Sequence, residues 1–146
     1  HTGILWATWY DVILNRYVTY GVSHNPTKGR TSKDPNYKWN KVLGLAIGKL
    51  SKEKSKGSNI FIHAGDYNQL DHKSDWYFGS GVTSVGDELK KWPQTGHGDI
   101  DGFGTADNDT QVKAKYIRSL NDRVFHLHTD HYPIECGLLV KARRAS

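Results

Sequence analysis

The apolar positions of this chain follow two different periods, and their order along the sequence predicts alternating strands and helices. Two apolar runs, Ile4 to Leu14 and Tyr17 to Ser23, are separated only by Asn15-Arg16. Runs rich in β-branched and aromatic residues around a short polar turn are typical of a β-hairpin. A loop is predicted from Asn25 to Asn36, because two Pro, one Gly and several short polar residues interrupt any regular pattern there.

One long helix is predicted after this loop. Asp34 is placed to be its N-cap, and Pro35 suits the first helical position. The apolar residues that follow recur every three or four positions and predict a single apolar face, made of Trp39, Val42, Leu43, Ala46, Ile47 and Leu50. A Lys-rich stretch and Gly57 then end the helix.

The rest of the chain is predicted to be mainly strands. They are Asn59 to Ala64, Asp99 to Thr105, Thr110 to Leu120, Val124 to Leu127 and Ile134 to Val140. Between the first two, Ser84 to Asp87 resembles a capping box that opens a short helix through Leu89. Strands with two helices between them indicate an α/β layer architecture. With 146 residues, the chain is predicted to form a single domain over residues 1–146.

Composition narrows the class of protein. Hydrophobic residues make up 36% of the chain and aromatic residues 12%, which is enough apolar material for a core. No run approaches the ~20 apolar residues that cross a bilayer, so no membrane span is expected. The single Cys136 can form neither an internal disulfide nor a thiolate zinc cluster. Because Met is absent and the chain starts at His1, we expect a processed product or a piece of a longer protein.

The charge balance favours anionic partners. Twenty Lys and Arg against fifteen Asp and Glu give a net charge of +5, and a basic surface attracts nucleic acid or phosphoesters. Much of this charge lies in Lys49 to Lys56 and in Lys141, Arg143 and Arg144, where a merely solvating role is favoured over a specific phosphate contact.

Polar side chains concentrate in four short clusters that follow or interrupt strand-like runs. They are Ser23-His24-Asn25-Pro26, Gly65-Asp66-Tyr67-Asn68, Asp99-Ile100-Asp101-Gly102 and Thr129-Asp130-His131-Tyr132-Pro133. Turn chemistry explains each of them alone. In this order, with a helix after the first and a strand before the second, they resemble the DNase I-like endonuclease/exonuclease/phosphatase superfamily.

The resemblance covers almost the whole chain and corresponds to the carboxyl-terminal half of that family's catalytic domain. It implies a mixed, mainly antiparallel sheet flanked by helices, one half of a four-layer DNase I-like α/β sandwich. It also implies a metal-dependent phosphodiesterase with Mg²⁺ or Mn²⁺ as cofactor. Such hard cations take oxygen ligands and act as Lewis acids on phosphoryl oxygens.

The resemblance implies roles for the residues in the first two clusters. Asp66 would orient or deprotonate the attacking water and help to bind the metal. Asn68 would hydrogen-bond that water or a phosphate oxygen. His24 matches the histidine that serves the DNase I branch as a second acid–base group.

The last two clusters would supply the remaining functional groups. His131 would contact the scissile phosphate, while Asp101 would hold its imidazole in the correct tautomer. Asp130 would help to bind the metal. Between Asp99 and Asp101, the second is chosen because it directly follows Ile100, as in the family's Ile-Asp pattern, although Gly102 stands where an aromatic residue is common.

The family's first half has no counterpart in this sequence. That half supplies an early Asn, a metal-binding Glu and the acid that pairs with the histidine at position 24, and the only acid before His24 is Asp11. A half-domain would leave an apolar sheet face in water, which is unfavourable. We therefore expect a missing amino-terminal half, a companion chain or a homodimer partner, and weak catalysis by the isolated chain.

Endonuclease-like cleavage of DNA is the favoured function, because the chain is basic and His24 matches the DNase I branch. The alternatives are a phosphomonoesterase or lipid phosphodiesterase on the same fold, and a non-catalytic binding or structural module that retains the scaffold. The spacing of the other histidines fits no zinc signature, so structural roles are favoured for His63, His72, His97, His126 and His128. Base stacking and core packing both remain open for Trp76, Tyr77 and Trp92.

Overall fold

The computed structural model describes residues 3–73, 75–98, 100–107, 109–120 and 130–144. In chain order the elements are β1 (Gly3–Asp11), β2 (Arg16–His24), α1 (Tyr37–Lys54), β3 (Ile60–Asp66), α2 (Asp75–Phe78), β4 (Val82–Ser84), α3 (Val85–Leu89), β5 (Asp101–Ala106), β6 (Val112–Ser119) and β7 (Ile134–Val140). Short 3-10 turns occupy Lys56–Ser58 and Leu70–Lys73. The predicted strand at 124–127 lies outside the described residues.

In the described part of the chain, the strands form one large sheet and one small sheet. The large sheet has the order β1-β2-β3-β5-β4, and β2 and β3 are its parallel pair while the other neighbours are antiparallel. β6 and β7 form a separate antiparallel pair. This arrangement confirms the predicted α/β class with a mixed, mainly antiparallel sheet.

The first hairpin is confirmed, but its turn lies earlier than predicted. β1 ends at Asp11 instead of continuing to Leu14. The Asp11 carboxylate accepts hydrogen bonds from the backbone N–H groups of Ile13 (3.0 Å) and Leu14 (2.9 Å). A side chain that satisfies these two donors stabilises a turn, so the apolar residues Val12 and Ile13 project into solvent.

The helix α1 begins at Tyr37, so the prediction that Asp34 and Pro35 open it was wrong. The Asp34 carboxylate instead accepts a hydrogen bond from the Thr31 N–H at 2.8 Å and closes a turn before the helix. The predicted short helix through Leu89 is confirmed as α3, but its predicted capping box is not. Ser84 lies at its N-cap position, but within the described residues its side chain makes no capping hydrogen bond.

The buried face of α1 also differs from the predicted one. Leu43 and Ile47 are buried as expected, whereas Trp39 and Val42 are about half exposed. The helix turns the small residues Gly44 and Gly48 inward instead, together with Asn40, Leu43, Ile47 and Ser51. Apolar periodicity underweights glycine, so it did not reveal that α2 lies against this face.

The core fills both sides of the large sheet. On the helical side, Ile47 of α1 packs with Phe61 of β3 and Tyr77 of α2. On the opposite side, Val18 and Ile60 of the large sheet pack against Val112 of β6. A third cluster joins Val85, Ala114 and Ile117. Among the described helices, none combines the length and apolar character that a bilayer span requires.

Candidate active site

Three strands bring polar side chains to one edge of the large sheet. In the parallel pair, His24 at the end of β2 lies beside Asp66 at the end of β3. β5 runs in the opposite direction and begins at this edge, so its first residue, Asp101, is the register partner of Asp66. Residues that are far apart in sequence therefore stand side by side, because the strand directions and registers place them there.

His131 joins this row from the segment that precedes β7. Its Nδ1 lies 2.8 Å from Oδ2 of Asp101, and its Nε2 lies 3.8 Å from Oδ2 of Asp66. On the other side of Asp66, Nε2 of His24 lies 3.6 Å from the same carboxylate oxygen. The Asp66 carboxylate thus stands between two imidazoles, one half-buried and one exposed.

A hydrogen-bonded support holds the imidazole of His131. Thr95 donates from its hydroxyl to Oδ2 of Asp101 at 2.7 Å, and the Tyr132 N–H donates to the Thr95 carbonyl at 2.9 Å. An ionised carboxylate is only an acceptor, so the proton of the His131–Asp101 hydrogen bond is on Nδ1. This leaves Nε2 directed toward Asp66. The buried Thr95 was not identified from the sequence. The only sequence feature that could have indicated it is its position just before Gly96 and Gly98.

Burial raises the pKa of the Asp66 carboxyl group, and the nearby charge of Asp101 raises it further. The hydrogen bond from the Asn68 N–H, at 3.0 Å, and the two imidazoles of His24 and His131 act in the opposite direction. A carboxylate held in this way favours an added positive charge, whether a proton or a cation. Asp66, Asp101 and His131 each offer a ligand atom within 4.8 Å of the others. The two carboxylates suit a hard divalent cation.

Asn68 lies beside Asp66 but faces the scaffold. It is buried, its backbone has a φ of +45°, and its amide nitrogen donates to the Asn25 carbonyl at 2.8 Å. Asn40 of α1 supports the same turn, with its amide nitrogen 3.2 Å from the Asn68 carbonyl and 3.3 Å from the Tyr67 carbonyl. These contacts fix the backbone that carries Asp66. The sequence did not single out Asn40 for this position.

Asp130 lies at the rim of the site and is largely exposed. Its Oδ2 is 3.0 Å from Nε2 of His97, and its Oδ1 is 3.9 Å from Nε2 of His131. The structure therefore places Asp130 in a group with His97 and His131, next to the group formed by Asp66, Asp101 and His131. A cleft of about 330 Å³ opens beside His131 and extends along the sheet to Tyr20 and Phe103.

Other residues that the sequence singled out have structural positions. His63, His72 and Tyr77 are buried in the core, and Trp92 packs edge-on against His72. Gly102 lies under the rings of Tyr67 and His72, where a side-chain carbon would already be at 3.4 Å. Asp99, His126, His128 and the side chain of Trp76 lie outside the described part of the structure.

No protein-family model matches this sequence, and no curated protein sequence matches it. Solved structures do match. D. rerio TDP2, solved in complex with a single-strand DNA product, matches with a TM-score of 0.69 at 16% identity, over 94% of this chain and 61% of its own.

Two bacterial structures match equally well. An endonuclease/exonuclease/phosphatase from Bacteroides vulgatus has a TM-score of 0.69 at 17% identity, over 94% of this chain and 55% of its own. A mannosyl-6-phosphatase from Bacteroides thetaiotaomicron has a TM-score of 0.67 at 15% identity, over 93% and 56%. The chain thus spans little more than half the length of each matched protein, and what it shares with them is the fold.

Proposed function

Because the chain has the DNase I-like endonuclease/exonuclease/phosphatase fold, we propose that it is the carboxyl-terminal half of a metal-dependent phosphodiesterase. The observation that carries this proposal is the row Asp101–His131–Asp66. Nδ1 of His131 is held by Asp101 at 2.8 Å, while its Nε2 points toward Asp66 at 3.8 Å. An oriented imidazole beside a partly desolvated carboxylate is an arrangement that can bind a phosphate and activate a water.

Each residue of the row would have one task. With a proton on each ring nitrogen, His131 would donate a hydrogen bond from Nε2 to a phosphoryl oxygen, and Asp101, supported by Thr95, would keep the ring in position and favour this charged form. Asp66 would orient the attacking water or accept its proton. The Asn68 N–H fixes the Asp66 carboxylate at 3.0 Å, which restricts the direction of its second oxygen.

His24 would serve as a further acid–base group on the far side of Asp66, 3.6 Å from its carboxylate. Asp66 and Asp130 would hold Mg²⁺ or Mn²⁺, since their carboxylate oxygens are ligands that hard cations prefer. When bound, such an ion neutralises charge on the phosphoryl oxygens. The raised pKa of Asp66 supports this assignment, because a cation offsets the cost of burying the carboxylate beside Asp101.

DNA is the proposed substrate, and cleavage is proposed to be endonuclease-like. The net charge of +5 favours a polyanion, and a matched structure was solved with a single-strand DNA product. The match to a mannosyl-6-phosphatase supports phosphomonoester hydrolysis as the second candidate. Both reactions use the same phosphate-binding row, so the assay below includes both substrates.

We also propose that the active form contains a second component, either a companion chain with the other half of the domain or a second copy. The matched structures are longer than this chain by almost half of their own length. Leu5 and Trp9 of β1 lie exposed on the same sheet face as Tyr20 and Val22 of β2. An apolar face of this kind gains about 25 cal/mol per Å² when it is covered.

The test is metal-dependent cleavage of supercoiled DNA, bis(p-nitrophenyl) phosphate and p-nitrophenyl phosphate by the full chain, with EDTA as control. Asp66→Asn and His131→Ala are expected to lower the rate about a hundredfold or more, because each removes a group of the proposed row. Asp107→Asn is the matched control, since Asp107 is an exposed carboxylate bonded to Thr83 at 2.8 Å.

The outcomes separate the candidates. Cleavage of the two diesters supports the phosphodiesterase, whereas cleavage of the monoester alone supports the phosphatase. Metal-dependent cleavage that survives both Asp66→Asn and His131→Ala contradicts the site. No cleavage of any substrate, even after the missing half is supplied, supports the non-catalytic module.

A further inference from the structure

A second group of metal-ligating side chains lies at the rim of the proposed site. Nε2 of His97 lies 3.0 Å from Oδ2 of Asp130, and Nε2 of His131 lies 3.9 Å from Oδ1 of Asp130. The two imidazole rings are 4.7 Å apart and tilted by 32°. In a tetrahedral zinc site, with Zn–N near 2.0 Å, neighbouring ligand atoms stand about 3.3 Å apart. The two contacts, which use different oxygens of Asp130, lie on either side of this value, and one ligand atom from each of the three residues lies within 4.8 Å of the others.

Two loops hold the group in place. The loop that carries His97 is closed by a hydrogen bond from the Thr95 N–H to the Gly98 carbonyl at 3.1 Å. Gly96 and Gly98 both have φ near +90°, which glycine adopts without strain. The Tyr132 N–H donates to the Thr95 carbonyl at 2.9 Å and joins this loop to the segment that carries Asp130. His97 and Asp130 therefore face each other across two connected loops.

His131 is oriented as metal-bound histidines usually are. Metal ligands of this kind commonly donate the other ring N–H to a carboxylate, which fixes the tautomer and raises the basicity of the ligating nitrogen. Nδ1 of His131 makes this contact with Asp101 at 2.8 Å. Its Nε2 is thereby directed toward the rim as well as toward Asp66. This support is a second observation, independent of the proximity of His97 to Asp130.

We propose that His97, Asp130 and His131 form a binding site for a borderline transition-metal ion, with Zn²⁺ as the reference ion. Two imidazoles and one carboxylate are a donor set that favours such ions over Mg²⁺, which prefers oxygen ligands alone. Asp130 is 79% exposed and His97 is 35% exposed, so an ion reaches the group from solvent without opening the fold.

Because the site includes His131, zinc binding would also regulate hydrolysis; this consequence rests on the proposed function. His131 offers one Nε2, and that nitrogen cannot ligate Zn²⁺ and hydrogen-bond a phosphate at the same time. Zn²⁺ would therefore inhibit hydrolysis in two ways: it would remove His131 from the row that contains Asp66, and it would take Asp130 from the proposed Mg²⁺ site. This inhibition would depend on His97, because His97 supplies one of the three proposed zinc ligands.

The test is isothermal titration of the full chain with zinc chloride at pH 7.5. One Zn²⁺ per chain is expected, and His97→Ala should weaken binding about tenfold or more, because it removes one of three ligands. Asp66→Asn is the matched control, since it disables the neighbouring Asp66–Asp101–His131 group and leaves the rim group intact. Zinc binding that is insensitive to His97→Ala, or weakened equally by Asp66→Asn, overturns the proposal.

Two further measurements keep the result interpretable. His97→Gln, which retains a polar side chain, should also lose affinity, and thermal unfolding of both variants should match the wild type. The titration requires no catalysis, so its result is valid even if the hydrolase proposal fails.

In the hydrolysis assay with Mg²⁺, His97→Ala should need about tenfold more Zn²⁺ for half-inhibition. Equal zinc sensitivity in wild type and variant contradicts the regulatory consequence.

Discussion

His63 is a histidine of the core, in the middle of β3. Its side chain has no exposed surface, and its Nδ1 lies 2.8 Å from the Tyr67 hydroxyl. Burial lowers the pKa of His63 to about 3, well below its ordinary value of 6.5. The folded protein therefore keeps this ring neutral at pH values where the unfolded chain binds a proton.

This difference makes the free energy of unfolding fall in acid. Between pH 6.5 and about 3 the unfolded state binds more protons at His63 than the folded state does. The free energy of unfolding should then fall by up to about 1.4 kcal/mol per pH unit from this residue alone, and this contribution should become negligible about one unit above pH 6.5. Urea unfolding at pH 7.5, 6.0 and 5.0 measures the slope. His63→Asn should flatten it, while its neighbour Phe61→Leu should lower stability equally at each pH; an unchanged slope in His63→Asn contradicts the prediction.

The side chains of the proposed site are held in position by hydrogen bonds from residues that are distant in sequence. Asp101 holds His131, and Thr95 holds Asp101. Asn40 reaches from α1 to the backbone carbonyls of Tyr67 and Asn68. The polar row is thus positioned by the loop before β5 and by a helix, as well as by the strands that carry it. Substitutions at these supports are expected to act on the geometry of the row.

At the scale of elements, the packing of α1 on α2 depends on two glycines. A side-chain carbon at Gly44 would lie 2.4 Å from the Tyr77 carbonyl oxygen, and one at Gly48 would lie 2.0 Å from the Phe78 carbonyl oxygen. Both contacts are to backbone atoms, which cannot rotate away. The short helix α2 lies directly against the backbone of α1 for this reason.

Gly48→Ala should destabilise the fold even though alanine favours helices. The gain in helix propensity is about 1 kcal/mol, whereas separating α2 from α1 disturbs the packed cluster of Ile47, Tyr77 and Phe78 at a cost of about 1–3 kcal/mol. Urea unfolding should show a net loss. Lys49→Ala, at the next and exposed position, is the control and should stay within about 0.5 kcal/mol of wild type. A Gly48→Ala variant that is more stable than wild type would contradict this packing.

At the scale of the whole molecule, the described residues cover only part of one face of the large sheet. β6 and β7 cover the end of the face near Val18. Beyond this end, Leu5 and its register partner Val22 are exposed, and on β1 Trp9 is exposed beside its register partner Val18. The same face leads to the cleft beside His131 through Tyr20. A component that covers it would therefore border the proposed site.

Light scattering at micromolar concentration tests this arrangement. If the face is covered by a second copy, the mass should exceed the 16.5 kDa of one chain, and Leu5→Lys combined with Trp9→Lys should reduce it, because charge opposes burial of the face. Val12→Lys combined with Ile13→Lys is the control, since these residues are exposed in the turn after β1. A wild-type chain that remains a stable monomer counts against the proposal that a second component covers this sheet face.

Local patterns in the sequence were sufficient for the order of the elements and for the fold class. Alternation of apolar residues predicted β2, a short apolar run predicted β7, and helical spacing predicted α1, because neighbouring residues determine these patterns. The polar clusters at 24, 66, 101 and 131 were also visible, since each follows or interrupts a strand. The predicted ends of the elements were less accurate. The Asp11 side chain ends β1 three residues before the predicted position.

Apart from the pairing of Asp101 with His131, which the family resemblance implied, only the tertiary structure decided which distant residues meet. The register of β2, β3 and β5 brings His24, Asp66 and Asp101 into one row, and the join between two loops brings His97 to Asp130. Such contacts depend on strand direction and on backbone hydrogen bonds between segments that are far apart in the chain. Sequence spacing alone therefore carried no sign of the rim group, because its ligands become neighbours only after the sheet has formed.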